Sequence, residues 1–270
     1  MEMQYYDDDT NCWKFLTASR RSDSSSSVCR TNRGLFMTGG RNEIISINFE
    51  FFDMTTREWT RKPSLITRRK SHRSVWLGNY IYVLGGIHHF RNDHKVLASV
   101  ECLGADSEEW VSMPEMPQAM CAHMVATYHE KIFVFGGKNV QREATRSTQV
   151  FDTTLRQWDT RADMPVACCK CAAVTLNDFI YVVGGEHRKC LRYDPASDSW
   201  TTLSSPRLDH CHAPAVVWRG TIVLAGGCKE GSCVVEQYDP LTDAWSYCDI
   251  PPLRQNLERH HMFNVDLYDE

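Results

Sequence analysis

A chain of 270 residues in which 42 % are hydrophobic, 24 % charged and 11 % aromatic has the make-up of an ordinary globular protein, long enough to bury a large core. A net charge of −4 is too small to imply a nucleic-acid partner for the whole chain, and no run of about 18 apolar residues is present to cross a membrane as a helix. Twelve cysteines fall below the density of a disulfide scaffold and read as free thiols of a reduced, cytoplasmic protein.

The first ten residues, MEMQYYDDDT, are acidic and have neither the basic start nor the apolar centre of a secretory signal. Within residues 1–16 a Tyr6-Asp7 pair is followed by Trp13, a combination that returns along the chain. This stretch reads as the last two strands of a unit whose beginning is absent. Met1 stands almost directly inside a strand, so the sequence is expected to start downstream of a longer N-terminal region.

Internal repetition follows. Gly-Gly pairs stand at Gly39-Gly40, Gly85-Gly86, Gly136-Gly137, Gly184-Gly185 and Gly226-Gly227, separated by 46, 51, 48 and 42 residues. Each ends an apolar run (GLFMTGG, YIYVLGG, KIFVFGG, FIYVVGG, TIVLAGG) rich in the β-branched and aromatic residues of a buried strand. Before it, a stretch such as HRSVWLG or APAVVWRG predicts an antiparallel neighbour joined by a tight turn. After a variable loop, a third strand ends at an aromatic-Asp pair, Phe52-Asp53, Phe151-Asp152, Tyr193-Asp194 or Tyr238-Asp239, whose Asp opens a turn. Leu103-Gly104-Ala105-Asp106 takes that place in one unit. Trp59, Trp110, Trp158, Trp200 and Trp245 then start the fourth strands. At the C-terminal end, residues 259–268 (RHHMFNVDLY) read as a first strand with no Gly-Gly strand after it.

Four short antiparallel strands in 42 to 51 residues make a unit too small to bury both its faces, which is the description of a propeller blade. The pattern resembles the kelch family, whose repeat is marked by the Gly-Gly pair, the aromatic-Asp and the Trp. The resemblance implies an all-β, six-bladed kelch β-propeller forming one domain over residues 1–270. Its blades fall at 17–62, 63–113, 114–161, 162–203 and 204–249, and a closing blade, lacking its Gly-Gly strand, is built from 1–16 and 250–270.

Blade lengths and the polar residues entering most first strands are most similar to the C-terminal kelch domain of BTB-Kelch proteins, which recruits substrates to cullin-RING ubiquitin ligases. This implies a protein-binding, non-enzymatic substrate-recognition module, joined to a ligase only through a BTB region that the sequence does not contain. An actin-associated cytoskeletal scaffold is the alternative, and a kelch-fold enzyme a third reading. The resemblance further implies pocket-lining residues fourteen positions before each Gly-Gly pair, at Ser25, Ser71, Ala122, Lys170 and His212, with Arg259 similar in the closing blade.

In a four-stranded meander, the loops after the Gly-Gly strands and the connections between blades share one end. The turns between third and fourth strands lie at the other. The first set holds eighteen Lys and Arg against ten acids, and the turns hold thirteen acids and two arginines. Asp is the residue such turns need, which accounts for most of the acidic excess but not for the basic one. A basic rim around a concave mouth attracts acidic groups, while the acids scattered through it argue against a nucleic-acid phosphate track. An acidic peptide or protein loop is therefore the expected partner, with neither nucleic acid nor membrane. The candidate contact residues are Arg41, Asn42, Arg69, Ser71, His88, Arg91, Lys138, Asn139, Arg142, Lys170, His187, Arg188, His212 and Arg259.

Cys168-x-x-Cys171 with Cys169 beside it, and His210-Cys211-His212, invite a zinc reading. Residues three apart in an extended chain point to opposite faces and no second pair has ligand spacing, so no metal or other cofactor is expected. Lys170 beside these thiols can lower a thiol pKa, which makes redox sensing a lesser candidate. No Gly-x-Ser-x-Gly, His-Glu-x-x-His or phosphate-cradling glycine loop occurs, and the histidine pairs at 88–89 and 260–261 lack the spacing of a copper site. The serine-rich stretch 22–27 reads as a lengthened loop of the basic end.

Overall fold

The computed structural model describes residues 2–7, 9–18, 25–41, 45–90, 93–227 and 233–253. The chain divides into two compact units, one of residues 19–163 and one of residues 2–18 with 164–270. Strands β1 (Glu2–Asp7) and β2 (Cys12–Ala18) belong to the second unit. The first unit holds three four-stranded sheets. They are β3 (Ser27–Arg30), β4 (Gly34–Thr38), β5 (Phe49–Asp53) and β6 (Trp59–Lys62); then β7 (Arg73–Leu77) and β8 (Tyr80–Leu84), with β11 (Val100–Gly104) and β12 (Val111–Met113) after an inserted hairpin, β9 (Ile87–Phe90) and β10 (Asp93–Val96); then β13 (Met124–Tyr128), β14 (Lys131–Phe135), β15 (Thr148–Asp152) and β16 (Gln157–Arg161). The second unit holds two more, β17 (Cys171–Leu176) to β20 (Ser199–Thr202) through β18 (Phe179–Gly184) and β19 (Lys189–Asp194), and β21 (Ala215–Trp218) to β24 (Ala244–Tyr247) through β22 (Thr221–Ala225) and β23 (Val235–Asp239).

Five four-stranded blades are thus present among the described residues, where the repeat count and the two chain ends had led to an expectation of six. The difference lies in the closing blade. Among the described residues β1 and β2 pair only with each other, and the sequence holds no sixth Gly-Gly strand to sit beside them. The first strand expected at 259–268 lies outside the described residues. The β1–β2 pair nonetheless uses the same chemistry as a blade's outer hairpin, with Tyr6 opposite Trp13 and the Trp13 indole N–H donating to Pro251 O at 2.9 Å.

That chemistry repeats because the residue types recur at fixed register. Phe52, Phe151, Tyr193 and Tyr238 lie directly across from Trp59, Trp158, Trp200 and Trp245, with ring centroids 5.0 to 5.3 Å apart. The indole N–H of a blade then reaches the chain leaving the preceding one: Trp110 to Pro63 O, Trp158 to Pro114 O and Trp245 to Ser204 O, at 2.7 to 2.9 Å. Apolar side chains fill the space between consecutive sheets. Leu84, Val100, Ile132 and Phe151 form one such layer in the first unit, and Val183, Cys190, Ile222 and Tyr238 one in the second.

The Gly-Gly pairs set how closely consecutive blades approach. Gly86 has φ near +100°, its N–H donates to Met120 O of the next blade's entry loop at 2.8 Å, and a Cβ on it would lie 2.7 Å from Lys70 O and 2.8 Å from the His72 Cβ. Gly40 and Gly185 donate likewise to Arg69 O and His210 O. Only a residue without a Cβ tolerates both the dihedral and the contact. Gly86→Ala is expected to lower stability by at least about 2 kcal/mol in chemical denaturation, from the strained backbone and the clash together.

His123 fills the space against Gly85 and Gly137 and is fully buried. Burial first, then the cations of Arg73 and Arg69, outweigh its contact with the Met120 backbone and push its pKa down to about 3. The folded protein therefore keeps this ring neutral while the unfolded chain binds a proton near pH 6.5, so its contribution to stability is complete above pH 6.5 and is lost as pH falls towards 3. Replacing it by Gln should flatten the stability profile across that window. The difference in slope corresponds to about 2 kcal/mol between pH 7 and pH 5.

Candidate protein-binding loop face

The entry loops of the second, third and fifth blades are pinned from their own third strands. In the second blade Glu101 of β11 accepts the backbone N–H groups of Ile66 and Thr67 at 2.9 and 3.0 Å and the Arg69 guanidinium at 2.5 Å. Arg69 also donates to Gly85 O, Ser99 O and the Ser99 hydroxyl, and none of it is exposed. In the fifth blade Glu236 accepts Arg207 N, Leu208 N and His210 Nε2. Burial disfavours the Glu236 carboxylate, but the His210 ring and the two N–H groups overcome it and hold its pKa below the usual value. In the third blade Gln149 accepts Gln118 N. Arg69 is thus a structural latch and is corrected from the list of partner-contacting residues.

Two positions further into each loop the chain turns left-handed. Ser25, Ser71, Ala122, Lys170 and His212 all have φ between 49° and 64°. Ser71 N donates to Ser25 O, Ala122 N to Ser71 O and His212 N to Lys170 O, each at 2.9 Å. The positions matched on the kelch pattern are therefore joined, within each unit, by backbone bonds from one blade to the next.

On the first unit, cationic and imidazole groups gather around the entry loop and the β9–β10 hairpin. Ile87 N and O pair with Lys70 O and N, and His88 Nδ1 lies 3.1 Å from Arg68 O. His89 stacks edge-on against His94 across the hairpin, with centroids 5.3 Å apart, and the Arg142 guanidinium donates to His94 Nε2 at 3.4 Å rather than to a carboxylate. Lys138 bridges to Cys121 and to Ala144, and Asn139 ties the Arg142 loop by accepting Glu143 N on its side chain and Arg142 N on its carbonyl. On the second unit Lys170 pairs with Glu186 at 2.8 Å, which raises its pKa. His187 and Arg188 are both exposed and left-handed, with Arg188 donating to Arg207 O.

The opposite turns carry their acids for a structural reason. Asp53 accepts Thr55 N and Thr56 N, Asp152 accepts Thr154 N and Leu155 N, and Asp194 and Asp239 accept Ala196 N and Leu241 N. The Leu155 and Thr154 amides hold Asp152 below its ordinary pKa, and the Ser197 hydroxyl with the Ala196 amide does so for Asp194. These carboxylates serve the turns.

The KLHDC2/KLHL20/DRC7 Kelch-repeats domain matches residues 27–212 and the Kelch motif residues 210–251. The chain belongs to the kelch-repeat family. Kelch-like protein 38 of Rattus norvegicus is 26% identical over 253 residues, covering 89% of this chain and 43% of that protein. Kelch repeat protein C2 of Vaccinia virus (strain Western Reserve) is 32% identical over 130 residues, 48% of this chain and 25% of the viral protein. The chain thus spans less than half the length of these relatives. Among solved structures, YjhT shares the fold with a TM-score of 0.76 at 13% identity, covering 88% of this chain and 87% of that one. The kelch propeller before us is a protein-interaction module.

Of the contact residues expected from sequence, this kelch domain exposes Arg41, Arg142, His187 and Arg188, and half-buries Ser71, His88, Lys138, Asn139, Lys170 and His212. Asn42, Arg91 and Arg259 lie outside the described residues. His94 and Arg68, which the sequence places on the basic end, are not among these fourteen candidates. The signal for them was the longest repeat spacing, 51 residues, which accommodates the extra hairpin between β8 and β11. Arg69→Ala, which leaves Glu101 buried without its cation, should cost about 3–5 kcal/mol in urea unfolding. Arg142→Ala on the exposed loop should change stability by no more than about 0.5 kcal/mol.

Proposed function

We propose that this kelch domain is the substrate-recognition module of a ubiquitin-ligase adaptor and binds an acidic segment of its partner on the basic loop end. The supporting observation is that the inserted hairpin brings His88 against the Arg68 carbonyl and His94 against the Arg142 guanidinium, with Lys138 in the same loop as Arg142. Guanidinium and ammonium groups on a rim of this kind form charge-assisted hydrogen bonds to carboxylates and raise encounter rates with anionic partners. The ligase role follows from the likeness to BTB-Kelch proteins and would be exercised through a BTB region outside this chain.

The charge-reversal variant Lys138→Glu with Arg142→Glu tests the reading. Fluorescence anisotropy with a labelled Glu-rich peptide should show binding that weakens as salt rises and falls at least about tenfold in the variant, about 1.4 kcal/mol. The Tm should be unchanged, and Arg57→Glu in an acidic turn should leave binding unaltered. Equal affinity for wild type and the double variant would remove the basic end from the binding reaction.

A further inference from the structure

The β9–β10 hairpin inserted into the second blade brings together two histidines that stand five residues apart in sequence. His94 lies directly opposite His89 in the antiparallel register. Residues so placed have Cβ atoms about 5 Å apart and present their side chains on one face of the hairpin. The two imidazole rings stand with centroids 5.3 Å apart and planes inclined at 62°. Both residues are exposed, so the rings face solvent rather than the core.

That spacing suits two imidazoles sharing a tetrahedral ion. With a metal–nitrogen bond of about 2.05 Å and a ring centroid about 1.15 Å behind its nitrogen, two ligands at about 109° around one ion have centroids about 5.2 Å apart. An octahedral ion, whose neighbouring ligands stand at about 90°, would bring them to about 4.5 Å. His94 already has the form a metal needs. Its Nε2 lies 3.4 Å from the Arg142 guanidinium, a group that donates and never accepts, so Nε2 presents a lone pair and the ring proton sits on Nδ1.

We propose that His89 and His94 form a zinc site on the loop end of the second blade, each giving one ring nitrogen to a tetrahedral Zn2+. Among the described residues no third His, Cys, Asp or Glu completes a cluster with them, so two coordination positions are left for other ligands. Water fills them, or the carboxylate of a bound segment, a use that alone rests on the function proposed above. Arg142 is the opposing group. Its exposed side chain has to swing off His94 for the ion to enter, and its charge repels the ion at close range. Spacing along the chain argued against any metal because residues 89 and 94 fit no ligand pattern on a single strand or helix. Hairpin register supplies the match instead.

Cobalt(II), which takes the tetrahedral geometry of zinc and absorbs in the visible, is titrated into the full chain. The wild type should give d–d bands that saturate and that Zn2+ then removes. They should be lost in His89→Gln and in His94→Gln, and persist in His129→Gln, a change at an exposed turn of the third blade. Arg142→Ala should reach saturation at lower cobalt, since the repelling charge is gone. Both ligands are exposed, so the variants should keep the wild-type Tm, which a thermal scan of each checks. Bands that survive either ligand variant, whether or not a cobalt–thiolate absorption shows cysteine to be holding the ion, would overturn the proposal. A wild-type chain that gives no d–d bands would overturn it equally.

Discussion

The interaction on which the rest of this kelch domain depends is the backbone bond from the second glycine of a Gly-Gly pair to the entry loop of the next blade, as at Gly40 to Arg69 O, Gly86 to Met120 O and Gly185 to His210 O. It forms only where no Cβ intervenes and where φ is positive, and it sets the distance at which neighbouring sheets bury their faces. A blade alone has two apolar faces and cannot cover them. Packing a neighbour at this distance lets Phe151 and Ile132 meet Leu84 and Val100, and lets a Trp indole reach the chain leaving the previous blade.

With the glycine contact in place, the loop it grips is free to vary, and the latch residue records that freedom. Arg69 with Glu101 and His210 with Glu236 answer the same mechanical need with charge, and Gln149 answers it with an amide. A buried ion pair of this kind is costly to desolvate and holds only because Glu101 also receives two backbone N–H groups. The fourth blade has Cys168 and Leu191 at the equivalent places, without the cation and carboxylate of its neighbours.

Charge is divided between the two ends of the blades for two different reasons. The acidic turns hold Asp because its carboxylate closes the turn on the following amides, so their charge is a consequence of folding. At the other end Arg69 is buried as a latch, Arg68 and Arg188 donate to the carbonyls of Ile45 and Arg207, and Lys170 pairs with Glu186. Arg142 and His94 meet across loops of different blades and leave a cationic surface, the property that a partner carrying carboxylates would exploit.

By itself the sequence determined the unit: its four strands, its Asp turn, the Trp and aromatic that face each other, and the family, because each depends on residues close in the chain and recurs five times. Three things were decided only by the tertiary structure. The number of four-stranded blades depends on which strands find partners, and among the described residues β1 and β2 find only each other. Arg69 looked like one of three surface cations in the run 68–70, but a carboxylate 32 residues away draws it inside. The only trace of this in sequence is that Glu101 and Glu236 hold the same place in their repeats. The chain turns left-handed at Lys170, whose carbonyl accepts His212 N from the next blade, a dihedral that no spacing rule contains.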